Sequence, residues 1–264
     1  MPDAAARHGD APRRRGAPGP LTVPAIVLRR SDFKESSRIV TCLSREHGRI
    51  TGLAKGAHRP DSPFLGRIDF LNEIEATFSA DRGGLRLLTR AVLRCERRAL
   101  RVPQRFLAAS HLAQLCEWAM PELRPEPELY DLLSGGLSLL ERCPLAAVPQ
   151  VVLGIELRYL QLLGALPDLD HCTDGGCDLD GGAFRTQDAP GLVCRRHAAA
   201  PRHAVAAEVL AALRLLHRTP GRGWPALQLP VDVARCAALP ALWLQAATEQ
   251  RSRLRTLVFA APTP

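Results

Sequence analysis

The chain has 264 residues, 46% hydrophobic and 23% charged, with a net charge of +8, which suits one large or two ordinary domains with packed cores. No apolar run reaches the length of a membrane span, since the best candidate, Val151 to Leu166, is interrupted by Glu156 and Arg158. Eight cysteines at irregular spacing do not resemble a secreted disulfide framework, and the arginine- and proline-rich residues 1–20 lack the apolar core of a signal peptide; the expectation is a cytoplasmic protein.

Residues 1–20 read as a disordered basic tail. Short strands begin at Val23. Ala25 to Leu28 leads through Arg29 and Arg30 to a polar corner at Ser31-Asp32. Ser36 to Leu43 alternates, with Ile39, Thr41 and Leu43 on one face and Arg38, Val40 and Cys42 on the other. Glu46-His47-Gly48 turns into Arg49 to Ala57, and a proline-containing loop leads to Arg67 to Phe78, where Ile74, Ala76 and Phe78 alternate with Glu73, Glu75 and Thr77. Asp81 to Gly84 is a hairpin turn into a fifth strand, Leu85 to Leu93. Five strands in so short a stretch, all antiparallel by turn length, predict a small closed barrel spanning 21–100. Such a barrel has no room for a ligand inside, so function belongs to its outer face and loops.

After Leu100 the hydrophobic period becomes helical, and residues 101–264 predict an all-α domain, making the chain α+β overall. Pro103 opens a helix to Met120 with Phe106, Leu107, Leu112, Leu115 and Trp118 on its apolar side. Pro127 to Glu141 is a second helix, and Gln150 to Leu166, the most apolar, is a central third. Ala204 to His217 is helical, Arg222 to Pro230 is a loop, and Val231 to Val258 is helical but broken near Pro240.

An insert at 171–198 interrupts this domain. Cys172-x4-Cys177 and Cys194-x2-His197 are two close pairs separated by sixteen residues, with Gly175-Gly176, Gly181-Gly182 and Pro190-Gly191 supplying turns. Three thiols and one imidazole in two pairs predict one tetrahedral zinc per chain, closed to water and therefore structural. The alternatives are unrelated free thiols or a disulfide, which would leave one of the three cysteines over. His171 and Asp174 stand close enough in sequence to compete with His197.

The charge is unevenly placed. Residues 21–100 hold 15 Lys and Arg against 9 Asp and Glu, whereas 101–264 hold 16 of each. A basic half on a neutral one suggests a polyanion-binding module on a scaffold. Arg29, Arg30, Lys34 and Arg38 flank the first two strands, and Lys55, His58 and Arg59 open the loop after the third. Each alone is an ordinary solvated charge; together they predict a nucleic-acid face. Phe33, Phe64, Phe70 and Phe78 are the only aromatics before residue 100, and Phe70 and Phe78 read as core. Binding should therefore stack bases weakly, depend strongly on salt and show little sequence preference.

Ala54-Lys55-Gly56-Ala57-His58-Arg59, with Lys34-Glu35, Glu46-His47-Gly48 and Arg253-Leu254-Arg255-Thr256 in order around it, resembles the RecO family of bacterial recombination mediators. The resemblance covers about 21 to 258. It implies an N-terminal OB-fold, a helical C-terminal domain with a zinc site, and His197 where the family usually has a fourth cysteine. It also implies binding of single- and double-stranded DNA, strand annealing, and loading of recombinase in the RecF pathway. The implied partners are RecR and the acidic, apolar C-terminal tail of single-stranded DNA-binding protein. For that tail, helices 103–120 and 150–166 would form a pocket edged by Arg105 or Arg158. No His-x-Glu deaminase or His-Glu-x-x-His protease motif is present, so no catalysis is expected. A zinc-stapled RNA-binding or adaptor protein is the alternative.

Overall fold

The computed structural model describes residues 19–80, 85–120, 122–186, 191–198 and 203–260. The basic tail through residue 18, the Asp81 to Gly84 turn and Pro190 lie outside them.

Strands β1 (Leu21–Phe33), β2 (Ser37–Ser44), β3 (Gly48–Ala54), β4 (Glu73–Phe78) and β5 (Arg86–Cys95) close into a barrel in the order β1-β2-β3-β5-β4, with β4 returning to β1. The alternating side chains of these strands fill its interior: Val27, Val40, Cys42, Ile50, Ile74 and Phe78 are fully buried there. One pairing corrects the all-antiparallel expectation. β3 and β5 run parallel through Gly52↔Arg86 and Leu53↔Leu87. The physical reason is the connection 55–72, which is no hairpin. It crosses one end of the barrel and delivers β4 beside β1, so β5 must close the gap to β3. This strand order is that of the OB-fold. β1 also runs on through Arg29 to Phe33 rather than ending at a polar corner, with a bulge between Val27 and Arg29.

Helices α1 (Pro103–Ala119), α2 (Pro127–Arg142) and α3 (Val148–Leu162) each carry proline in the first turn, where the missing N–H costs nothing. α3 is buried almost all round and packs against α1, α2, α4 (Ala207–Arg218) and α5 (Val233–Thr248), as its apolar sequence predicts. The proline break does not occur where expected. α5 continues through a buried Pro240, flanked by buried Cys236, Leu239 and Trp243, whose packing outweighs one lost backbone bond. The break falls at Glu249, whose φ of +54° ends the helix before α6 (Arg253–Ala260).

Barrel and helices share a core. Ile26, Leu28, Leu43 and Leu71 leave the barrel and join the buried residues of α1–α3. Arg97, almost fully buried, donates to Glu73 of β4 and to Glu141 of α2 at 2.7 Å, and Arg45 grips Asp131 with two bonds of 2.9 Å. One side of the barrel's outer face is therefore already covered, and a ligand must use the rest.

The insert's β6 (Ala183–Arg185) and β7 (Leu192–Val193) are joined by β8 (Ala204–Val205) just beyond it in a three-stranded sheet, in the order β7-β6-β8. Leu169, Leu179, Leu192 and Val193 sink into the helical core, and Arg214 of α4 ties the insert down at the Leu169 carbonyl (2.8 Å) and Asp170 (2.9 Å).

Candidate nucleic-acid interface and metal-ligand cluster

Two segments far apart in sequence meet at one end of the barrel. The Arg38↔Ala54 pair at the end of the β2–β3 ladder sets Arg38 beside Lys55. The His58 N–H then donates to the Ser36 carbonyl at 3.0 Å, clipping the loop after β3 onto the β1–β2 turn. Lys34, Lys55, His58 and Arg59 thus share one rim. Gly56, at φ +69°, is explained by the turn itself, and the Arg59 side chain lies over it.

The seven predicted cations are not equivalent. Asp32 receives Arg38 at 3.0 Å and His58 at 2.9 Å, and the hydrogen bond from Arg38 leads the effects that hold its carboxyl below the ordinary aspartate range. Arg30 pairs with Asp69, and Arg29 reaches Glu117 of α1 at 3.5 Å. Lys34 lies over the ring of the exposed Phe33 at 5.5 Å. Lys55 and Arg59 have no acidic partner among the described residues, and are the cations most available to a polyanion. Arg29 and Arg30 face the junction with the helices rather than the rim.

The Cys172, Cys194 and His197 ligand atoms lie within 4.8 Å of one another. Nδ1 of His197 stands 3.3 Å from the Cys172 sulfur, 3.4 Å from Cys194 and 3.8 Å from Cys177. Around a tetrahedral ion with zinc's bond lengths, ligand atoms stand about 3.5–3.8 Å apart, so the donor set and spacing fit that metal. Cys177 sits at the edge, where Arg196 donates to its sulfur. A Cβ at Gly175 would overlap the imidazole of His197, so this glycine makes room for the ring beside the three sulfurs. His171 does not compete: its ring lies between Asp168 (3.1 Å) and Asp178 (3.8 Å). Burial raises the Cys194 thiol, but N–H groups of His197 and Arg196 and the neighbouring thiols outweigh it and bring it down to about 6. The same contest lowers Cys172, where burial is opposed by N–H groups of Cys194, Asp174 and Gly175 and by His197. Both sulfurs are thereby disposed towards the thiolate that binds metal.

Residues 20–95 match the family described as Recombination protein O N terminal, and residues 101–239 match Recombination protein O C terminal. The chain belongs to the RecO family. It is 34% identical over 203 residues to the DNA repair protein RecO of Rhodopirellula baltica, covering 74% of each chain. It is 33% identical over 181 residues to that of Exiguobacterium sibiricum, covering 68% of this chain and 71% of the relative. The counterpart of Myxococcus xanthus is 32% identical over 203 residues, 74% of this chain and 82% of the relative. RecO is a family of DNA repair and recombination, and its OB barrel and helical domain are those described above. Among the described residues no helix is long and apolar enough to cross a membrane.

The two arginines expected at a partner pocket fare differently. Arg105 is taken: it donates to the Glu141 carbonyl and, at 2.8 Å, to the Cys143 carbonyl, capping α2. It cannot edge a peptide groove without releasing that helix end. Arg158 is half-buried and, among the described residues, donates to Gln161 at 2.9 Å.

Sequence reasoning missed one polar group. Glu156, wholly buried in α3, accepts from His111 at 2.8 Å and from Arg255 at 2.7 and 2.8 Å. Burial alone would raise its carboxyl, but Arg255 and His111 outweigh it and hold it below the ordinary glutamate range. A lone acid in the most apolar helix was the available signal, and Arg255 in the Arg-Leu-Arg-Thr run was its partner.

Proposed function

We propose that this chain is a repair mediator that holds single- and double-stranded DNA on the rim of its barrel, anneals complementary strands, and helps load recombinase onto protein-coated single strands. The observation that carries this is the rim itself, where one backbone hydrogen bond gathers Lys34, Lys55 and Arg59 from two loops, none of them paired with an acid among the described residues. Two strands bound to one such surface have their mutual repulsion screened, which is what annealing needs. If roughly 4–6 phosphates are neutralised, log affinity should fall with log salt at a slope of about −3 to −4 on single strands. Annealing of complementary oligonucleotides, with and without single-stranded DNA-binding protein, tests the reading. A protein that neither binds nor anneals would end it.

Zinc held by Cys172, Cys177, Cys194 and His197 would staple the insert and leave no open position for chemistry. The chain would thus act by binding rather than by catalysis. The buried Glu156 fits this role, since both its oxygens are engaged by Arg255. Elemental analysis of freshly purified protein tests the metal. Partnership with RecR and a cytoplasmic, nucleoid-associated location rest on the family. For the acidic tail of single-stranded DNA-binding protein, a cleft of about 310 Å³ between α1, α5 and α6 fits better than the edge at Arg105. Leu115, Trp118 and Leu244 offer apolar wall there, and Arg251 a cation for the carboxylate.

A further inference from the structure

A second cleft, of about 270 Å³, opens where the barrel meets the helices. Phe70, from the loop after β3, and Phe106, from the first turn of α1, meet in it edge to face, with ring centres 5.7 Å apart. Phe106 is 45% exposed, although the sequence placed it on the apolar side of its helix. The other walls include two ion pairs, Arg30 with Asp69 and Arg101 with Glu96, together with Arg97, Asn72, Leu71 and Leu100. We propose that this cleft is a stacking site for one unpaired nucleobase of a single strand, and the reading rests on the nucleic-acid function above.

Three observations point to a base rather than a phosphate or a peptide. A T-shaped pair leaves aromatic surface uncommitted, and a planar ring gains most by covering it. Both signs of charge surround the rings, and carboxylate and guanidinium groups together suit the mixed donor and acceptor edge of a base. β1 also links the cleft to the rim. Arg30 and Asp32 project from the same side of β1, roughly 7 Å apart, and Asp32 holds Arg38 and His58. A strand whose phosphates follow Lys55 and Arg59 is thus placed to turn a base inwards. Phe106 adds an aromatic surface from the helical domain to a barrel whose Phe64 and Phe78 are buried and whose Phe33 ring is met by Lys34.

The test uses the full chain with a thymidine oligomer, a duplex of equal length and a single strand carrying aminopurine. Phe106→Ala should lower single-strand affinity about tenfold. It should leave duplex affinity and the salt slope unchanged, because no charge is removed, and it should abolish aminopurine quenching. Phe106→Trp should restore both affinity and quenching. Wild-type binding with an unchanged Phe106→Ala affinity would overturn the stacking site alone, and an equal loss on duplex would do the same. An acidic, apolar-ended peptide bound by the wild type and lost in Phe106→Ala would assign the cleft to a protein partner instead. Absence of wild-type binding to any strand would overturn this inference together with the function it rests on.

Discussion

The barrel rim and the helical domain treat charge in opposite ways. In the helical domain several arginines are spent on the fold: Arg255 on Glu156, Arg105 on the end of α2, and Arg214 and Arg218 on Asp170 at the start of the insert. At the rim, Lys55 and Arg59 answer no acid among the described residues, and Lys34 rests on a phenyl ring. The comparison shows that net charge by domain is a coarse guide to ligand binding. What matters is which cations have already been claimed, and that is settled by geometry.

Mutations that remove claimed charges or ligands should cost stability, and those at the rim should cost affinity. The largest effect is expected at the metal cluster. Cys177→Ala should lower unfolding free energy by about 4 kcal/mol or more, as loss of a structural metal does. Affinity for DNA in the protein that remains folded should change less than about twofold. Denaturant titration and elemental analysis on the same samples check it; a stable, metal-free variant would remove the insert from the stability side of the comparison.

Next is Glu156→Ala, which strands His111 and Arg255 in the core and should cost about 3–5 kcal/mol. The carboxyl is lowered in the fold, so its contribution is complete above the ordinary glutamate pKa and is lost as pH falls below that value towards the lowered one. The melting temperature of the wild type should therefore drop more steeply than that of Glu156→Gln on acidification. Parallel melting curves would show that the network contributes no such linkage.

Replacing Lys55 and Arg59 together should flatten the single-strand salt slope by roughly 1–1.5 units, lower affinity alike across sequences and leave the melting temperature in place. Arg214 is a poor control, because it anchors the insert; Arg222, exposed, and Arg158, half-buried against Gln161, serve better on the helical half. A control pair more costly than the rim pair would move the DNA surface to the helices. The smallest effect runs the other way. Asp32→Asn frees Arg38 and His58 and should raise affinity about threefold with a steeper slope. An unchanged affinity would place those two groups outside the DNA path.

Local regularities carried much of this protein in plain view. Alternation in β4 set Ile74, Ala76 and Phe78 on one face, and in β2 it separated Val40 and Cys42 from Leu43; the structure shows that Val40 and Cys42 fill the barrel while Leu43 meets the helices. The central place of α3 followed from its apolar run. The paired spacing of Cys172, Cys177, Cys194 and His197 brought the ligand atoms together, because two short turns fix each pair wherever the rest of the chain goes. The parallel β3–β5 contact was not legible. Turn length constrains only neighbours in sequence, and the connection 55–72 sends β4 to the far side of β1.

The sequence by itself determined the composition of each half, the barrel and helix periods, the metal-ligand spacing and the family motifs, all of which depend on residues close together along the chain. Only the tertiary structure decided which cations remain available. Asp32 claims Arg38 and His58, Asp69 claims Arg30, α2 claims Arg105, and Glu156 draws His111 and Arg255 into the core. It also brought Phe70 and Phe106 together across the domain junction. A charge or a ring has no partner until the chain closes, and most of these partners lie tens of residues or more away along the chain.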